Sequence, residues 1–422
     1  MDSVELRKIG KAATSAARSL ASLSGDVRNK AISNIADGLS SSRSEIVLEN
    51  GRDIEKGRKK GLSEAVLDRL LLNDERIDVI ARDALSVVGL SDPVGEIIEM
   101  NTMPNGLEVS RRRVPLGVIG VIYESRPNVT VDISALCLKS GNAVILRGGS
   151  EAFHSNTVLA DVIRAAILDA GISKDAVQIV GSTDRKFVSE MLKMDEFIDL
   201  MIPRGGADLV ARVAKEASMP SIIGGVGVCH TYVDESASLD MAVDIVFNAK
   251  VQRPSVCNAL DTMLVHVSAA PEYLPKIANA FAEAGVEMRC DTRSMSILGS
   301  REDVKITPAV EEDWDTEHLS LTAGVKVVDS LEAALDHILD HGTGHSEAIV
   351  TEDTSSAARF LNEVDSSAVM VNASTRFNDG GQFGLGAEVA ISTNKMHARG
   401  PMGLKELTSY KWIVLGDGHI RE

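Results

Sequence analysis

The chain has few cysteines and few aromatic residues, and both shortages exclude classes of protein. Its 422 residues include four cysteines, which lack the paired spacing of a disulfide framework or a zinc ribbon and so indicate a reducing compartment. Aromatic residues make up 3% of the chain and the formal net charge is −17. This balance argues against a nucleic-acid partner, which requires basic stripes and aromatic stacking platforms. An acidic protein that handles anions must concentrate its cations locally.

Long apolar runs are also missing from the sequence. No stretch reaches about 18 apolar residues, so we expect no membrane span. Residues 1–8 carry mixed charge without an apolar segment, a pattern that does not indicate a secretory signal. These absences predict a cytoplasmic protein, and its length suggests two or three domains.

The glycine fingerprint of the common dinucleotide-binding folds is a third absence. Gly224-Gly225-Val226-Gly227 and Gly384-Leu385-Gly386 both lack the third glycine of the G-x-G-x-x-G pattern that follows a strand. In the usual fold these glycines let the backbone approach the pyrophosphate of the ligand. The sequence therefore predicts either that no dinucleotide binds or that one binds in a variant manner.

The apolar pattern that is present changes along the chain. Before about residue 100, apolar residues recur every three or four positions, as in helices. After that, short runs that are apolar throughout alternate with amphipathic stretches, which predicts parallel sheets covered on both faces by helices. The runs are 114–123, 143–146, 177–180, 198–202, 261–267, 325–328, 348–351 and 368–372.

Cys257 is the candidate nucleophile because its chain neighbours are polar and cationic. It follows a turn at Arg253-Pro254, and Lys250 lies within seven residues of it. Nearby positive charge favours the thiolate, which is the nucleophilic form of cysteine. The alternative is a buried structural cysteine, the commoner role of a free thiol. The remaining cysteines lie in apolar or strand-like runs typical of packing residues: Cys137, Cys229 and Cys290.

Several long motifs resemble the γ-glutamyl phosphate reductase family of the aldehyde dehydrogenase superfamily. They occupy residues 123–130, 141–151, 202–206, 248–258, 344–349 and 371–377, and the most specific is 379–404. The resemblance covers nearly the whole chain and is weakest before about residue 90. It implies an α/β, aldehyde dehydrogenase-like fold of two doubly wound parallel-sheet domains and a small oligomerisation flap. That fold binds its dinucleotide without the usual glycine fingerprint.

The resemblance also implies a domain plan and a reaction. We expect a dinucleotide-binding domain over residues 1–235, with 100–115 partly in the flap, a catalytic domain over 236–395 and an oligomerisation tail over 400–422. The implied reaction belongs to proline biosynthesis: NADPH reduces L-glutamyl 5-phosphate to L-glutamate 5-semialdehyde, and phosphate is released. Cys257 would form a thioester, with its own backbone N–H and the Asn128 side chain as oxyanion donors. For Asn128, a turn position after Pro127 is an equal alternative.

The cofactor site follows from the same resemblance. Arg147 and Ser150 occupy the positions of a ribose-contacting lysine and of an acid that favours NAD. A cation with a small hydroxyl would accommodate a 2′-phosphate, which predicts NADP, although Glu151 is adjacent. The turn Pro203-Arg204-Gly205-Gly206 matches the phosphate-contacting turn of the family, and Glu317 lies near the position of the acid that holds the nicotinamide ribose.

Substrate contacts are expected where a strand ends in the catalytic half, since ligands of α/β proteins bind at such ends. The candidates are Asn372, Ser374, Thr375 and Arg376. Lys250 and Arg253 are expected to steady the departing phosphate. For each of these residues except Arg253, a solvated surface position is an equal alternative.

A carboxylate typical of hydrolytic aldehyde dehydrogenases is missing. Those enzymes carry a glutamate just before a Gly-Gly pair, where it activates the water that cleaves the thioester. Here Ser221-Ile222-Ile223 precedes Gly224-Gly225. A site without this general base does not readily activate water, whereas phosphate is already a nucleophile near neutral pH. The absence favours acyl phosphate chemistry.

Three histidines lie near one another in the catalytic half of the sequence. No H-E-x-x-H pattern or acidic third ligand accompanies His337, His341 and His345, so no metal site is expected.

The strand-like run 407–415 has no helix after it. An uncovered strand of this kind is an aggregation hazard, so we expect it to pair across a subunit boundary in a homodimer or homotetramer.

Two other functions remain open from sequence. The first is a related NAD(P)-dependent acyl phosphate or aldehyde dehydrogenase that acts on a different acyl group. The second is a catalytically silent dinucleotide-binding protein that docks on glutamate 5-kinase, the enzyme that makes the labile acyl phosphate. Retention of Cys257 with two cations nearby argues against the silent protein.

Overall fold

The computed structural model of the chain describes residues 1–224 and 226–421. The chain forms two compact units. Unit 1 contains Met1–Ile223, Gly384–Ala390 and the chain from Met402 onward, and unit 2 contains the chain from Gly224 to Phe383 together with Ile391–Pro401. The division falls between Ile223 and Gly224, whereas the sequence predicted a boundary at residue 235. The dinucleotide-binding and catalytic roles of the two units stay predictions.

Four helices of unit 1 follow a residue whose side chain accepts a hydrogen bond from a backbone N–H group of the first turn. Asp2 accepts from the N–H of Glu5 at 2.8 Å, and Asn73 accepts from that of Arg76 at 2.9 Å. The helical character predicted for the first hundred residues is confirmed by the first five helices. The helices are Ser3–Leu20 (α1), Gly25–Ser41 (α2), Arg43–Lys59 (α3), Glu64–Leu70 (α4), Asp74–Val88 (α5), Asn128–Lys139 (α6), Phe153–Asp169 (α7), Lys186–Met191 (α8) and Ala207–Glu216 (α9).

Two sheets belong to unit 1. Their strands are Ile97–Thr102 (β1), Glu108–Pro115 (β2), Val118–Tyr123 (β3), Ala143–Gly148 (β4), Val177–Ile179 (β5) and Leu200–Arg204 (β6), with one more at the end of the chain. The larger sheet is parallel in the order β5-β4-β3-β6. Tyr123 lies opposite Gly148 on one side and Arg204 on the other, so β3, β4 and β6 end together. The predicted cofactor residues of unit 1 therefore follow one edge of this sheet.

Unit 2 contains a seven-stranded parallel sheet in the order β10-β9-β11-β8-β7-β12-β13. Its strands are Cys229–Val233 (β7), Leu260–His266 (β8), Glu287–Cys290 (β9), Ile306–Pro308 (β10), Thr322–Val328 (β11), Ser346–Val350 (β12) and Ala368–Val371 (β13). A hairpin of Ile391–Ser392 (β14) and Gly400–Pro401 (β15) is separate. The helices are Leu239–Val251 (α10), Ala270–Ala284 (α11), Thr292–Leu298 (α12), Leu331–His341 (α13) and Thr354–Glu363 (α14). Two parallel sheets with interleaved helices confirm the predicted fold class.

The last strand of the chain has a partner that the sequence did not predict. Residues Thr408–Leu415 (β16) pair along their whole length with β2 of the same chain, antiparallel, in a three-stranded sheet of order β1-β2-β16. The sequence reading missed β1 and β2 because their residues are mostly polar or exposed, so no apolar run marks them. The tail therefore has a partner in its own chain, and this occupies one of its two edges. No helix in the described ranges is both long enough and apolar enough to cross a membrane.

Candidate active site

Cys257 lies in the turn that joins α10 to β8. Its side chain is partly exposed, whereas Cys137, Cys229 and Cys290 are buried. Burial raises the pKa of the Cys290 thiol to about 11 and also raises the pKa values of the Cys137 and Cys229 thiols. These three thiols are therefore protonated at neutral pH and shielded from solutes, which leaves Cys257 as the candidate nucleophile.

The main chain at Cys257 packs tightly against the segment that precedes β7. A Cβ atom added at Gly227 would lie 1.8 Å from the carbonyl oxygen of Cys257, so a larger residue there must displace the turn. The Cys229 thiol donates a hydrogen bond to the same carbonyl oxygen, with a sulfur–oxygen distance of 3.1 Å. Cys229 is buried, as its sequence pattern predicted, and it also helps to position the backbone of the nucleophile.

Asn258 connects the cysteine turn to the segment after β13. Its Nδ2 donates to the carbonyl oxygen of Asn378 at 3.0 Å, and its own carbonyl accepts from the Thr375 hydroxyl at 2.7 Å. The Ser374 hydroxyl accepts from the N–H of Arg376 at 3.3 Å, which shapes the short 3₁₀ turn Thr375–Phe377. The predicted substrate segment is thus brought next to the nucleophile, although Thr375 and Ser374 are buried and occupied by these bonds.

Arg376 is the cation that the structure places within electrostatic reach of Cys257. Burial lowers the pKa of its guanidinium, as does the charge of Arg253, while Asp379 and Cys257 oppose the shift. Its Nε donates to Oε1 of Gln252 at 2.8 Å, which orients the group. Arg253 is exposed in the turn. Arg376 thus interacts electrostatically with both Arg253 and Cys257, and the positive charge of the two guanidinium groups attracts anions to this segment.

Asn372 takes a different position from the one expected of a substrate contact. Its amide bridges the ends of β12 and β13, because Nδ2 donates to the Thr351 carbonyl and Oδ1 accepts from the Thr351 N–H, each at 2.9 Å. The residue adopts a left-handed backbone with φ of 54°, a conformation that asparagine tolerates better than most residues. Both ends of the Asn372 amide are used within the sheet, so a substrate contact stays a prediction that this geometry does not favour.

Lys250 is buried, although the sequence predicted that it contacts the departing phosphate. Its Nζ donates to the Ser320 carbonyl at 3.2 Å and lies 3.8 Å from Oδ1 of Asp261. Burial lowers the pKa of the Lys250 ammonium and raises that of the Asp261 carboxyl to about 6. Asp261 also accepts from the N–H groups of Cys229 and His318. The pair supports the strand beneath the cysteine turn, and the predicted phosphate contact is not favoured by this position.

Glu317 is half-buried near the same segment. Its Oε1 accepts from the N–H of Gly227 at 2.9 Å. Burial raises the pKa of the Glu317 carboxyl to about 7, against the opposing effect of that N–H. The residue predicted to hold the nicotinamide ribose therefore contacts the glycine that packs on Cys257, and its charge changes near neutral pH. Its contact with a cofactor stays a prediction.

The three histidines singled out in the sequence each have a protein partner at Nδ1. His341 is 2.8 Å from Asp315, His337 is 3.0 Å from the ammonium of Lys326, and His345 is 2.7 Å from the Ser346 hydroxyl. Burial lowers the pKa of His337 to about 2 and that of His345 to about 4. Both rings are therefore neutral at physiological pH. In the described ranges, no three side chains of metal-ligating type are grouped to hold an ion.

In unit 1, Asn128 begins α6 at the edge where β3 ends. Its Nδ2 donates to Oδ2 of Asp132 at 2.8 Å, one helical turn further on. Burial raises the pKa of the Asp132 carboxyl to about 7, and the bond from Asn128 opposes this rise. The amide predicted to stabilise an oxyanion is thus directed at an acid of its own helix. Its oxyanion role stays a prediction.

Arg147 lies near the end of β4 and Ser150 follows that strand, but the surroundings of the two residues differ. Arg147 is 7% exposed, and its Nη2 donates to the Thr183 carbonyl at 3.2 Å. Burial lowers the pKa of the Arg147 guanidinium. Ser150 is partly exposed at the start of a 3₁₀ turn. Oε1 of Glu151 accepts from both the N–H and the hydroxyl of Ser125, at 2.7 and 3.0 Å.

The turn after β6 has an acid against it. Pro203 and Arg204 end the strand, and Gly205 and Gly206 lead into α9. Oε2 of Glu124 accepts from the N–H of Gly206 at 3.2 Å, and a Cβ atom at Gly205 would lie 2.5 Å from the same oxygen. The Glu124 carboxylate therefore already occupies an anion position at this helix N-terminus. The pyrophosphate contact of this turn stays a prediction, and a bound pyrophosphate would compete with Glu124.

The position of the missing glutamate is occupied by aliphatic residues. Ile222 is buried and Ile223 is 38% exposed, and Gly225 of the motif lies outside the described residues. Gly224 approaches another segment closely, because a Cβ atom there would lie 1.9 Å from the Ile391 carbonyl oxygen. The first glycine of the pair is thus required for packing.

Some residues that shape the two sites were missed by sequence reasoning. Gly227 and Asn258 each end a segment that the sequence singled out, but only the fold shows that they contact the backbone at Cys257 or beside it. Asp261 and Glu124 are single acids without a distinctive spacing. A direct signal existed only for Asn258, which is the next residue after the nucleophile.

Comparison with known proteins supports the resemblance given by the motifs. Residues 1–326 match the model of the aldehyde dehydrogenase family. A γ-glutamyl phosphate reductase of Dehalococcoides mccartyi is 54% identical over 418 residues, which cover 99% of each chain. Another, of Clostridium tetani, is 51% identical over 417 residues, or 98% of this chain and 97% of the relative. The crystal structure of the Thermotoga maritima γ-glutamyl phosphate reductase superposes with a TM-score of 0.96 at 48% identity, over 99% of this chain and 100% of that one.

Proposed function

The chain belongs to the aldehyde dehydrogenase family, and we propose that it reduces γ-glutamyl phosphate to glutamate 5-semialdehyde with NADPH in proline biosynthesis. The observation that carries this proposal is the partly exposed Cys257 thiol in a turn that Gly227 and Asn258 hold in place. Full-length relatives with the name γ-glutamyl phosphate reductase support the choice of substrate. A cytoplasmic location is part of the proposal.

Cys257 performs covalent catalysis in this mechanism. Its thiolate attacks the γ-carbonyl carbon, a carbon–sulfur bond forms, and the carbon–oxygen bond to phosphate breaks with its electron pair on the phosphate. A bound NADPH would supply the hydride that reduction of the resulting thioester requires. The carbon–sulfur bond then breaks, which releases the aldehyde and regenerates the thiolate. The N–H of Cys257 and the amide of Asn128 are the proposed donors to the oxyanion of each tetrahedral intermediate.

Arg376 and Arg253 are proposed to hold the anionic parts of the substrate. Arg376 lies within electrostatic reach of Cys257 and of Arg253, so a dianionic phosphate near the thiol meets two positive charges. The same charges favour the thiolate over the thiol. Lys250 takes no direct part in this version of the site because its ammonium is buried against Ser320 and Asp261.

The absence of a carboxylate before Gly224 is proposed to protect the thioester from hydrolysis. Ile222 and Ile223 cannot accept a proton from water, so water attacks the thioester slowly. Phosphate requires no such base. In the reverse direction, phosphate therefore discharges the acyl group and restores the acyl phosphate.

The carboxyl edge of the unit 1 sheet fits a dinucleotide. Ser150 supplies a hydroxyl, and Gly205 and Gly206 bring the main chain to the surface after β6. The carboxylate of Glu151, which would otherwise repel a 2′-phosphate, is held by the N–H and hydroxyl of Ser125. The family uses nicotinamide dinucleotides, and NADP in place of NAD is the finer proposal. Glu317 is proposed to hold the nicotinamide ribose.

The proposal is tested by comparing kcat/KM for two acyl phosphates, γ-glutamyl phosphate and acetyl phosphate. With γ-glutamyl phosphate made in situ by a glutamate kinase, the protein should consume NADPH and form glutamate 5-semialdehyde, detected by its cyclisation product. Acetyl phosphate serves as the comparison, because it shares the reacting group and lacks the amino acid. Equal kcat/KM for both would favour an acyl phosphate reductase of different specificity, and no reduction of either would refute the proposal.

We propose further that β16 contributes to a homodimer or homotetramer. Trp412 is 56% exposed, Val414 is equally exposed, and in the described part of the chain β16 has a partner on one edge only. Light scattering should show a dimer or tetramer, and deletion after Leu407 should abolish it. A monodisperse, active monomer would refute this.

Docking of glutamate 5-kinase is a separate proposal, and a mixture of the two proteins that sediments as separate species would refute it.

A further inference from the structure

A cavity of about 330 Å³ in unit 1 lies beside the predicted cofactor residue Ser150. Its wall includes Ser150, Glu151 and Ser125 from the loops after β4 and β3, and Lys56 and Lys60 from the end of α3. We propose that Lys56 and Lys60 bind the 2′-phosphate of NADPH in this cavity. The inference deepens the proposed function and rests on it, since it assumes that the dinucleotide is NADPH.

The sequence predicted that Arg147 binds the 2′-phosphate. The position of Arg147 in the structure does not favour this contact, so other cations must bind the phosphate. Its guanidinium is 7% exposed and donates to the Thr183 carbonyl at 3.2 Å. It does not line the cavity beside Ser150. Lys56 and Lys60 do line it, and both are exposed to solvent.

A buried polar network fixes α3 against the loop that carries Ser150. The Asp53 carboxylate accepts from the N–H groups of His154 and Ser155, at 3.3 and 2.8 Å, and from the Ser155 hydroxyl at 2.7 Å. Asn50 donates to the same hydroxyl at 3.0 Å. These bonds satisfy N–H groups at the start of α7 and set the rotation of α3 about its axis.

The rotation of α3 determines which of its cations face the cavity. Lys56 and Lys60 follow Asp53 by three and seven residues, so helical periodicity places all three on one face. Lys59 lies off that face and pairs with Glu55 at 2.6 Å. Neither Lys56 nor Lys60 forms an ion pair with any described residue, so both ammonium groups can receive a ligand.

The two acids of the cavity are already bound to other donors. Glu151 accepts from the N–H and hydroxyl of Ser125, and Glu124 accepts from the N–H of Gly206. The wall of the cavity therefore includes two lysines whose ammonium groups have no acceptor among the described residues, and two carboxylates that have donors. A phosphate monoester on the ribose would supply the missing acceptors.

The test compares nucleotides that differ only in the 2′-phosphate. Calorimetry measures the Kd of 2′,5′-ADP and 5′-AMP, and nucleotide fluorescence measures the Kd of NADPH and NADH. The variant is Lys56→Gln with Lys60→Gln. The matched control is Arg58→Gln with Lys59→Gln, which removes the same charge from the same helical turns outside the cavity wall. Thermal unfolding verifies that both variants are folded.

We expect the Lys56/Lys60 variant to bind 2′,5′-ADP and NADPH about ten- to hundredfold more weakly, with 5′-AMP and NADH changed by less than about threefold. The control should bind all four as wild type does. An unchanged preference for the 2′-phosphate in the variant, or equal losses in the control, would overturn the inference alone. A wild-type protein that binds 2′,5′-ADP no better than 5′-AMP would overturn it together with the proposed NADP preference.

Discussion

The cysteine turn of unit 2 and the sheet edge of unit 1 use their internal hydrogen bonds differently. Around Cys257, contacts end on main-chain atoms: Gly227 and Cys229 meet its carbonyl, and Thr375 meets that of Asn258. At the carboxyl end of the unit 1 sheet, two side chains that the sequence assigned to ligands are themselves the donors of hydrogen bonds within the protein. Asn128 donates to Asp132, and Arg147 donates to Thr183.

The difference shows what a nucleophile and a binding site each require. A nucleophile needs one atom in a fixed place, and main-chain contacts supply that while they leave the thiol accessible. A binding site needs donors that have no protein acceptor. If a donor must first break a hydrogen bond within the protein, the free energy of ligand binding is reduced by about 1 kcal/mol. Lys56 and Lys60 meet this requirement better than Arg147 does.

The largest expected effect comes from Cys257 itself. Cys257→Ala should lower kcat by about a thousandfold or more, because no other accessible thiol can form the thioester. The Kd for NADPH should stay within about twofold of wild type. Cys290→Ala, a change at a buried thiol of unit 2, is the control and should retain activity. Turnover by the Cys257 variant above a few per cent of wild type would refute covalent catalysis.

The contact of Gly227 with the Cys257 carbonyl should matter next most. Gly227→Ala adds a methyl carbon that would lie 1.8 Å from the Cys257 carbonyl oxygen, so the turn must shift. We therefore expect kcat to fall about a hundredfold. Gly51→Ala is the control, since nothing lies within 4 Å of a Cβ atom there. Stopped-flow assays of both variants, after thermal unfolding has verified their folding, provide the measurement. Normal kcat in the Gly227 variant would show that the contact does not position the thiol.

Arg376 should affect the substrate rather than the cofactor. Arg376→Gln removes a charge near Cys257 and should lower kcat/KM for γ-glutamyl phosphate about tenfold or more, with the Kd of NADPH unchanged. Arg293→Gln, which removes an exposed ion pair with Asp329 in the same unit, is the matched control. If both variants had the same kcat/KM, the anion site would have to lie elsewhere.

The smallest effect concerns Glu317 and pH. Burial raises the pKa of its carboxyl from 4.5 in the unfolded chain to about 7 in the folded protein, so the folded state binds the proton more tightly. Its contribution to stability is therefore full below about pH 4.5 and is lost as the pH rises through about 7.

Glu317→Gln keeps an oxygen that accepts from Gly227 and removes the titration. The variant should gain Tm relative to wild type as the pH is raised from 5 to 8, by a few degrees at most because the group is only half-buried. Scanning fluorimetry at both values measures this. A Tm difference that is independent of pH would mean that Glu317 is ionised in the folded protein throughout this range.

Much of the fold could be predicted because apolar runs mark its strands. The run 143–146 became β4 and 261–267 became β8, each within two residues of its bounds. β1 and β2 could not be found in this way, because their sheet is largely exposed and their residues alternate without an apolar core. For the same reason the sequence did not predict a partner for the tail within its own chain.

The site was predictable as far as chemistry follows from chain neighbours. Cys257 stands in a polar, cationic turn, and that character survives folding. The positions of two other predicted site residues depend on tertiary contacts. Lys250 is held by Ser320 and Asp261, and Asn372 is held by Thr351. Those partners are distant in sequence, so no local pattern distinguishes a buried lysine from a ligand.

The most direct test of the central claim is mass spectrometry of the protein, intact and after digestion, during the reverse reaction. With glutamate 5-semialdehyde and NADP in phosphate-free buffer, a glutamyl adduct should accumulate on the peptide that contains Cys257, because no base before Gly224 activates water. Added phosphate should discharge it within the dead time of mixing. Rapid release of free glutamate without phosphate, or an adduct on another residue, would contradict the account.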